Sequence, residues 1–258
     1  MTVEMTVDGA VATVTFNRPE KRNALTVEMR QKLTESFERI AEDDAIRAVI
    51  LTGAGEAFCA GADVTAMAGG RTVVRGRGLM QRGSHRAIRA LHHLEKPTIA
   101  AVRGPAVGIG WSYALACDMI VASETARFAQ VFKRLGLAPD GGAVWFLTQR
   151  IGVMRAKELV FTARFLSGPE ALELGLVNKV VPDAELMPTA TRLAQELAAG
   201  PTFALGLAKK LFHAAVAPTL DQFLETELLV QPTLYQTEDH PEGVKAFKEK
   251  RDPKFAGR

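Results

Sequence analysis

Short apolar runs set between glycines limit what this chain can fold into. Residues 47–52 (RAVILT), 98–102 (TIAAV) and 119–122 (MIVA) are too short for helices and rich in β-branched residues, so each reads as a buried strand. Helical spacing lies between them. Met29, Leu33, Phe37 and Ile40 recur at three- and four-residue intervals behind Thr26, a plausible N-cap. Ile88, Leu91 and Leu94 mark one more helix, led into by a basic segment and stopped by Pro97. The first sixteen residues read as a hairpin, with Val3, Met5 and Val7 alternating before an Asp8-Gly9 turn and residues 11–16 returning. Strand, loop, helix and strand therefore repeat through the first half, which predicts an α/β fold with helices covering sheet.

The second half changes character. Ser167 and Glu170 have capping-box spacing before a short helix that Gly175 can end. One last strand is expected over 177–181. Thr219 and Gln222 form a second capping box, followed by an apolar stripe of Leu220, Phe223, Leu224 and Leu228. Faces this rich in leucine, arriving after the sheet is complete, cover either the chain's own core or an oligomer interface. The one hint of a boundary is Gly200-Pro201.

Composition excludes several classes. With 258 residues, 47% hydrophobic and 24% charged, the chain has ordinary globular composition and enough length for a sizeable core. The longest charge-free run, 104–117, has fourteen residues broken by four Gly or Pro, short of the roughly 20 a membrane helix needs. The opening MTVEMTVDGA lacks a basic region followed by an apolar one, so a cytoplasmic protein is expected. Cys59 and Cys117 suit neither a disulfide framework nor a metal site, and no metal is expected. A net charge of +3 gives little reason to expect nucleic acid. Arg71, Arg75, Arg77, Arg82, Arg86 and Arg89 do cluster in an acid-free stretch, as a solvated helix face or an anion site. They lack the interleaved aromatics of a stacking platform.

Three segments carry more glycine than packing needs: 53–63, 104–110 and 136–142. The second opens a helix, where main-chain N–H groups can hold an anion or oxyanion. It lacks the third glycine of a dinucleotide fingerprint.

Seven stretches in order carry a resemblance. They are NRPEKRNAL (17–25), AFCAGADV (57–64), KPTIAAVRG (96–104), AVGIG (106–110), Cys117-Asp118, ALELGLV (171–177) and GVKAFKEKR (243–251). Over nearly its whole length the chain resembles the enoyl-CoA hydratase/isomerase (crotonase) superfamily. The resemblance implies a crotonase-like spiral of ββα units over 1–196 and a helical trimerisation region over 197–258, in a homotrimer or a dimer of trimers. It implies an acyl-CoA thioester substrate, no resident cofactor because coenzyme A is part of the substrate, and no nucleic-acid or membrane partner.

By position, the resemblance puts oxyanion donors at the main-chain N–H groups of Ala62 and Ile109. Ile109 departs from the family's usual glycine, and its β-branched side chain narrows the expected pocket. The hydratase glutamates would fall at Ser112 and Phe132, neither of which moves protons at neutral pH. A third acid position of the superfamily falls at Asp140, in a stretch resembling the ring-epoxide isomerases of phenylacetyl-CoA breakdown. The plain alternative for Asp140 is a helix N-cap. CoA and substrate binding carries over to Arg22, Ala24, Ala60, Ala62, Asp63, Val64 and Phe132. Phe247 and Lys250 would reach the nucleotide end from a neighbouring subunit, or else form a solvated basic tail. Trp111, Trp145 and Phe146 could join Phe132 in an aromatic pocket, or be core. Asp63 reads better as a cap than as an acid, and His92-His93 as structural. Three functions follow in order: an acyl-CoA isomerase shuttling a proton through Asp140, a weak atypical hydratase, and a non-catalytic CoA-ester-binding oligomer.

Overall fold

Alternation along the strands and four-residue spacing along the helices build two cores on opposite faces of one sheet. The computed structural model describes residues 2–67 and 72–258. Strands β1 (Val3–Asp8) and β2 (Val11–Phe16) form the expected antiparallel hairpin. From β2 the sheet runs parallel through β3 (Ala48–Gly53), β4 (Thr98–Val102), β6 (Met119–Ser123) and β9 (Lys179–Val181). A second sheet of β5 (Pro105–Val107), β7 (Arg127–Ala129) and β8 (Leu166–Ser167) stands apart from it. The chain moves from one sheet to the other at β4–β5, β5–β6, β6–β7 and β8–β9, which makes it a spiral.

Alternate residues on each strand enter different cores. Val49, Leu51, Ala100 and Val102 join one, while Ala48, Ile50, Ile99 and Ala101 join the other. Helix α1 (Val27–Glu42) closes the first core with Met29, Leu33, Phe37 and Ile40, and the Thr26 hydroxyl caps it by accepting from Met29 N–H at 3.1 Å. The second core is closed by α7 (Leu186–Ala199) through Leu186, Ala190, Ala194 and Ala198.

Several expected boundaries are corrected. The basic segment holds two helices, α2 (Val73–Arg82) and α3 (Ser84–His92), with Gly83 between them donating to the Leu79 carbonyl. Arg71 lies outside the described residues. Arg75, Arg77, Arg82, Arg86 and Arg89 are exposed, and Arg86 pairs with Glu38 at 2.8 Å. Strands β5, β7 and β8, of two or three residues each, are too short to show alternation. The last strand starts at Lys179, after Asn178 has turned its side-chain oxygen to the Ile120 N–H. Helix α4 (Ile109–Ala116) follows β5, and α5 (Ala143–Thr162) bends at Gly152. Both capping boxes are present, on α6 (Gly168–Glu173) and on α9 (Leu220–Leu234).

The terminal helices α8 (Thr202–Ala214), α9 and α10 (Asp239–Glu249) follow α7. Helix α9 buries none of its residues within the described chain, and Leu220, Leu224, Leu228 and Leu229 are exposed. No helix of the described chain is long and apolar enough to cross a membrane.

Phe37 is fully buried beneath the sheet. Phe37→Ala should cost ~3–5 kcal/mol in urea unfolding. A loss under ~1 kcal/mol, the size typical of a surface change, would contradict this packing.

Candidate active site

Glycine clears a path for one stretch of main chain, and that stretch sets the site. A Cβ at Gly53 would overlap the carbonyls of Ala57 and Phe58, one at Gly104 the carbonyl of Glu56, and one at Gly110 the carbonyl of Cys59. Residues 56–59 can therefore lie directly against three other segments. On one side, Phe58 N–H donates to the Arg103 carbonyl at 2.7 Å, Cys59 N–H to Pro105 at 3.0 Å, and the Cys59 carbonyl accepts from Val107 at 2.9 Å. On the other, Ala60 N–H donates to Arg22 at 2.9 Å, the Gly61 carbonyl accepts from Leu25 at 2.8 Å, and Asp63 N–H donates to Leu25 at 3.0 Å.

This lacing aims one donor. A parallel bridge uses both main-chain groups of Leu25 on Gly61 and Asp63, which turns the N–H of Ala62 away from it. That N–H has no partner among the described residues, and Ala62 lines a cavity of about 410 Å³. Ile109, the first residue of α4, lines the same cavity. Its N–H is one of the four that a helix start leaves unbonded. Gly108 precedes it at φ +55°, a conformation that favours glycine. The Ile109 side chain packs toward Gly141 and forms part of the wall.

Asp140 borders this cavity from the loop before α5. Its carbonyl accepts from the Ser112 hydroxyl at 3.0 Å and from Ala143 N–H at 3.2 Å, fastening the loop to α4. The N-cap of α5 is Gly142, so Asp140 is not the cap. Its Oδ1 is buried and has no hydrogen-bond partner among the described residues. Burial raises the pKa of Asp140, and the charges of Arg30 and His85 pull it partly back. Asp63 is the opposite case. Thr65 and Arg18 both hydrogen-bond its carboxylate, the latter at 2.6 Å, and hold its pKa at about 2. It caps the turn at Val64–Met67, as its position suggested.

The chain matches known proteins over nearly its whole length. The family model for enoyl-CoA hydratase/isomerase matches residues 6–258. This chain belongs to that family. The 1,2-epoxyphenylacetyl-CoA isomerase of Escherichia coli (strain K12) is 40% identical, covering 98% of this chain and 97% of the relative. The short-chain-enoyl-CoA hydratase of Clostridium acetobutylicum is also 40% identical, covering 95% and 93%. A crystal structure of an enoyl-CoA hydratase subunit from Geobacillus kaustophilus HTA426 superposes with a TM-score of 0.94 at 37% identity, covering 100% and 99%. The fold is that of the enoyl-CoA hydratase/isomerase family, α/β with two sheets in a spiral.

Within this family frame, the remaining expected residues divide. Ala60, Val64 and Phe132 line the cavity with Ala62, Asp63, Ile109 and Asp140. Arg22 and Ala24 flank it on the loop, Arg22 in a left-handed conformation with its side chain exposed. Phe247 and Lys250 are exposed on α10 and just after it, and neither lines this cavity; Phe247 borders a separate one near Tyr235 and Phe255. The structure decides between pocket and core for the other aromatics. Trp111 is buried against Phe128, while Trp145 and Phe146 line another cavity beside His92, because α5 turns that face toward α3 and α8. His92 stacks on His213 at 3.9 Å, and burial holds its pKa down at about 3, which suits a structural role. Burial likewise pushes the Cys59 and Cys117 thiols up to about 12.

Asn23 and Arg30 escaped the sequence reading. Asn23 is fully buried: its amide donates to Ala54 and Ala57 carbonyls at 2.9 and 2.7 Å, and its oxygen accepts from Arg18 N–H at 2.8 Å. It ties the 17–25 loop to the turn that leads to Ala62. A polar residue inside NRPEKRNAL was the available signal. Asn23→Ala should lower stability by about 3 kcal/mol, since it orphans buried main-chain groups. It should also raise KM, measured by urea unfolding beside steady-state kinetics. An unchanged midpoint and KM would show that the loop holds without it.

Proposed function

We propose that this enzyme is an acyl-CoA isomerase. The observation carrying this reading is a buried, unpartnered carboxyl oxygen of Asp140 on the same cavity as the main-chain donors Ala62 and Ile109. The two N–H groups hold the thioester oxygen as negative charge develops on it. Aimed donors of this kind are worth ~3–4 kcal/mol each. Polarising the carbonyl acidifies the neighbouring C–H, and Asp140 takes the proton and returns it elsewhere on the acyl chain. That moves a double bond or opens an adjacent epoxide. Burial that raises the Asp140 pKa favours such a carrier near neutral pH. The scheme uses only the thioester and this chain's own groups.

The hydratase reading is weaker. It needs Ser112 to position a water, but Ser112 is fully buried, its hydroxyl lies 3.0 Å from the Asp140 carbonyl, and it does not line the cavity. Phe132 occupies the other hydratase position. We infer further that the exposed leucines of α9 meet a second copy, in a homotrimer or dimer of trimers, and that Phe247 and Lys250 serve a neighbour's coenzyme A.

Asp140→Asn should lower isomerase turnover by ~10²–10⁴-fold while leaving the affinity for acyl-CoA nearly intact. Undiminished turnover would remove Asp140 from the mechanism. The same variant carries a stability signature. Because burial raises its folded-state pKa, Asp140 contributes stability fully below its unfolded pKa and loses it as pH rises through the folded value. The neutral asparagine escapes that loss. Asp140→Asn should therefore melt above wild type at pH 8, with the difference shrinking as pH falls toward the ordinary carboxylate range. A variant less stable than wild type at pH 8 would contradict the burial assigned to this carboxyl.

A further inference from the structure

Arg30 projects from the first turn of α1 into the wall of the Asp140 cavity. Its aliphatic stem lies beside Gly83, at the junction of α2 and α3. Neighbouring charges on α1 are already committed, since Lys32 pairs with Glu28 at 2.8 Å. The Arg30 guanidinium makes no ion pair and donates no hydrogen bond among the described residues, and its Nε is buried. Across the site, Asp140 Oδ1 is buried and equally unpartnered. The Tyr113 hydroxyl is a third such atom, close enough for both the Arg30 and Asp140 charges to act on it.

Donor and acceptor of opposite charge thus border one cavity without meeting each other. Buried polar atoms are satisfied in more than about nine cases in ten, so a cluster of exceptions at a binding cavity calls for a missing partner. A plain hydrocarbon chain supplies none, and would leave the guanidinium desolvated and unpaired. An oxygen on the acyl chain would supply one, by accepting from Arg30. The other carboxylate on the cavity, Asp63, is held by Arg18 and Thr65 and does not compete for Arg30.

We propose that Arg30 determines specificity by selecting acyl-CoA esters whose acyl chain carries an oxygen beyond the thioester carbonyl. This deepens the acyl-CoA reading of the site and rests on it, but needs no isomerase turnover. The guanidinium donates to that oxygen, and a site built for such a bond discriminates against the analogue that lacks it.

Calorimetric titration of the full chain with butyryl-CoA, 3-hydroxybutyryl-CoA and succinyl-CoA tests this. The wild type should bind a hydroxylated or carboxylated ester roughly 10- to 100-fold tighter than butyryl-CoA, as expected for a hydrogen bond to a charged group. Whether the hydroxyl or the carboxylate gains more separates a neutral from an anionic acyl group. Arg30→Met should erase the preference while leaving butyryl-CoA affinity in place; Arg30→Gln serves if the methionine variant does not fold. Equal wild-type binding of all three esters overturns the proposal, as does a preference that survives in either variant. Equal weakening of all three in the variants also overturns it, by putting the guanidinium on coenzyme A. Failure of every ester to bind overturns this proposal and the acyl-CoA reading together.

Discussion

Close main-chain contact along residues 56–63 is the constraint on which the site depends. The segment hydrogen-bonds to the 103–107 chain with one edge and to the 22–25 loop with the other. Three glycines, Gly53 just before it and Gly104 and Gly110 some fifty residues on, give up side chains so that it can pass. What emerges is an Ala62 N–H left without a partner at the cavity and a helix start at Ile109 beside it. Both donors are main chain, so their direction is set by the backbone and is indifferent to the side chain carried there. The isoleucine at 109 therefore leaves the main-chain direction unchanged while its side chain forms part of the wall.

Two carboxylates border the cavity and their environments push them apart. Asp63 is ionised, hydrogen-bonded and structural, held at about pKa 2. Asp140 is half-buried, its Oδ1 is buried without a partner, and its pKa is shifted upward. Opposed shifts of this kind separate a fixed charge from a group able to carry a proton. The Ser112 hydroxyl donates to the Asp140 carbonyl and holds its loop against α4.

Much of this was legible in the sequence wherever a signal is local and repeated. The hairpin, the Thr26 cap, β4 and both capping boxes follow from spacing alone, and the glycine-rich segments marked the site. The order of seven short motifs carried the family and, with it, positions 62, 109 and 140. What escaped depends on contacts between distant segments. Strands β5, β7 and β8 are too short for alternation, and exist because neighbouring chain lies at hydrogen-bonding distance. Asn23 and Arg30 look like loop and surface residues in a linear reading, since nothing local tells that one is buried under the Ala54–Ala57 turn and the other faces a cavity. Trp145 and Phe146 stayed open between pocket and core for the same reason: their aromatic character was plain, but the direction of α5 was not.

The proposed reaction turns on an enolate held by two main-chain donors and a proton moved by Asp140. Deuterium wash-in measures that step directly. Incubating wild type and Asp140→Asn with butyryl-CoA in D₂O, and following the C2 protons by NMR, needs no particular double bond or ring in the acyl group. Wild-type enzyme should exchange these protons with solvent, and Asp140→Asn should bind the same ester without exchanging them. Equal exchange by the two proteins, or none by wild type saturated with the ester, would contradict the account.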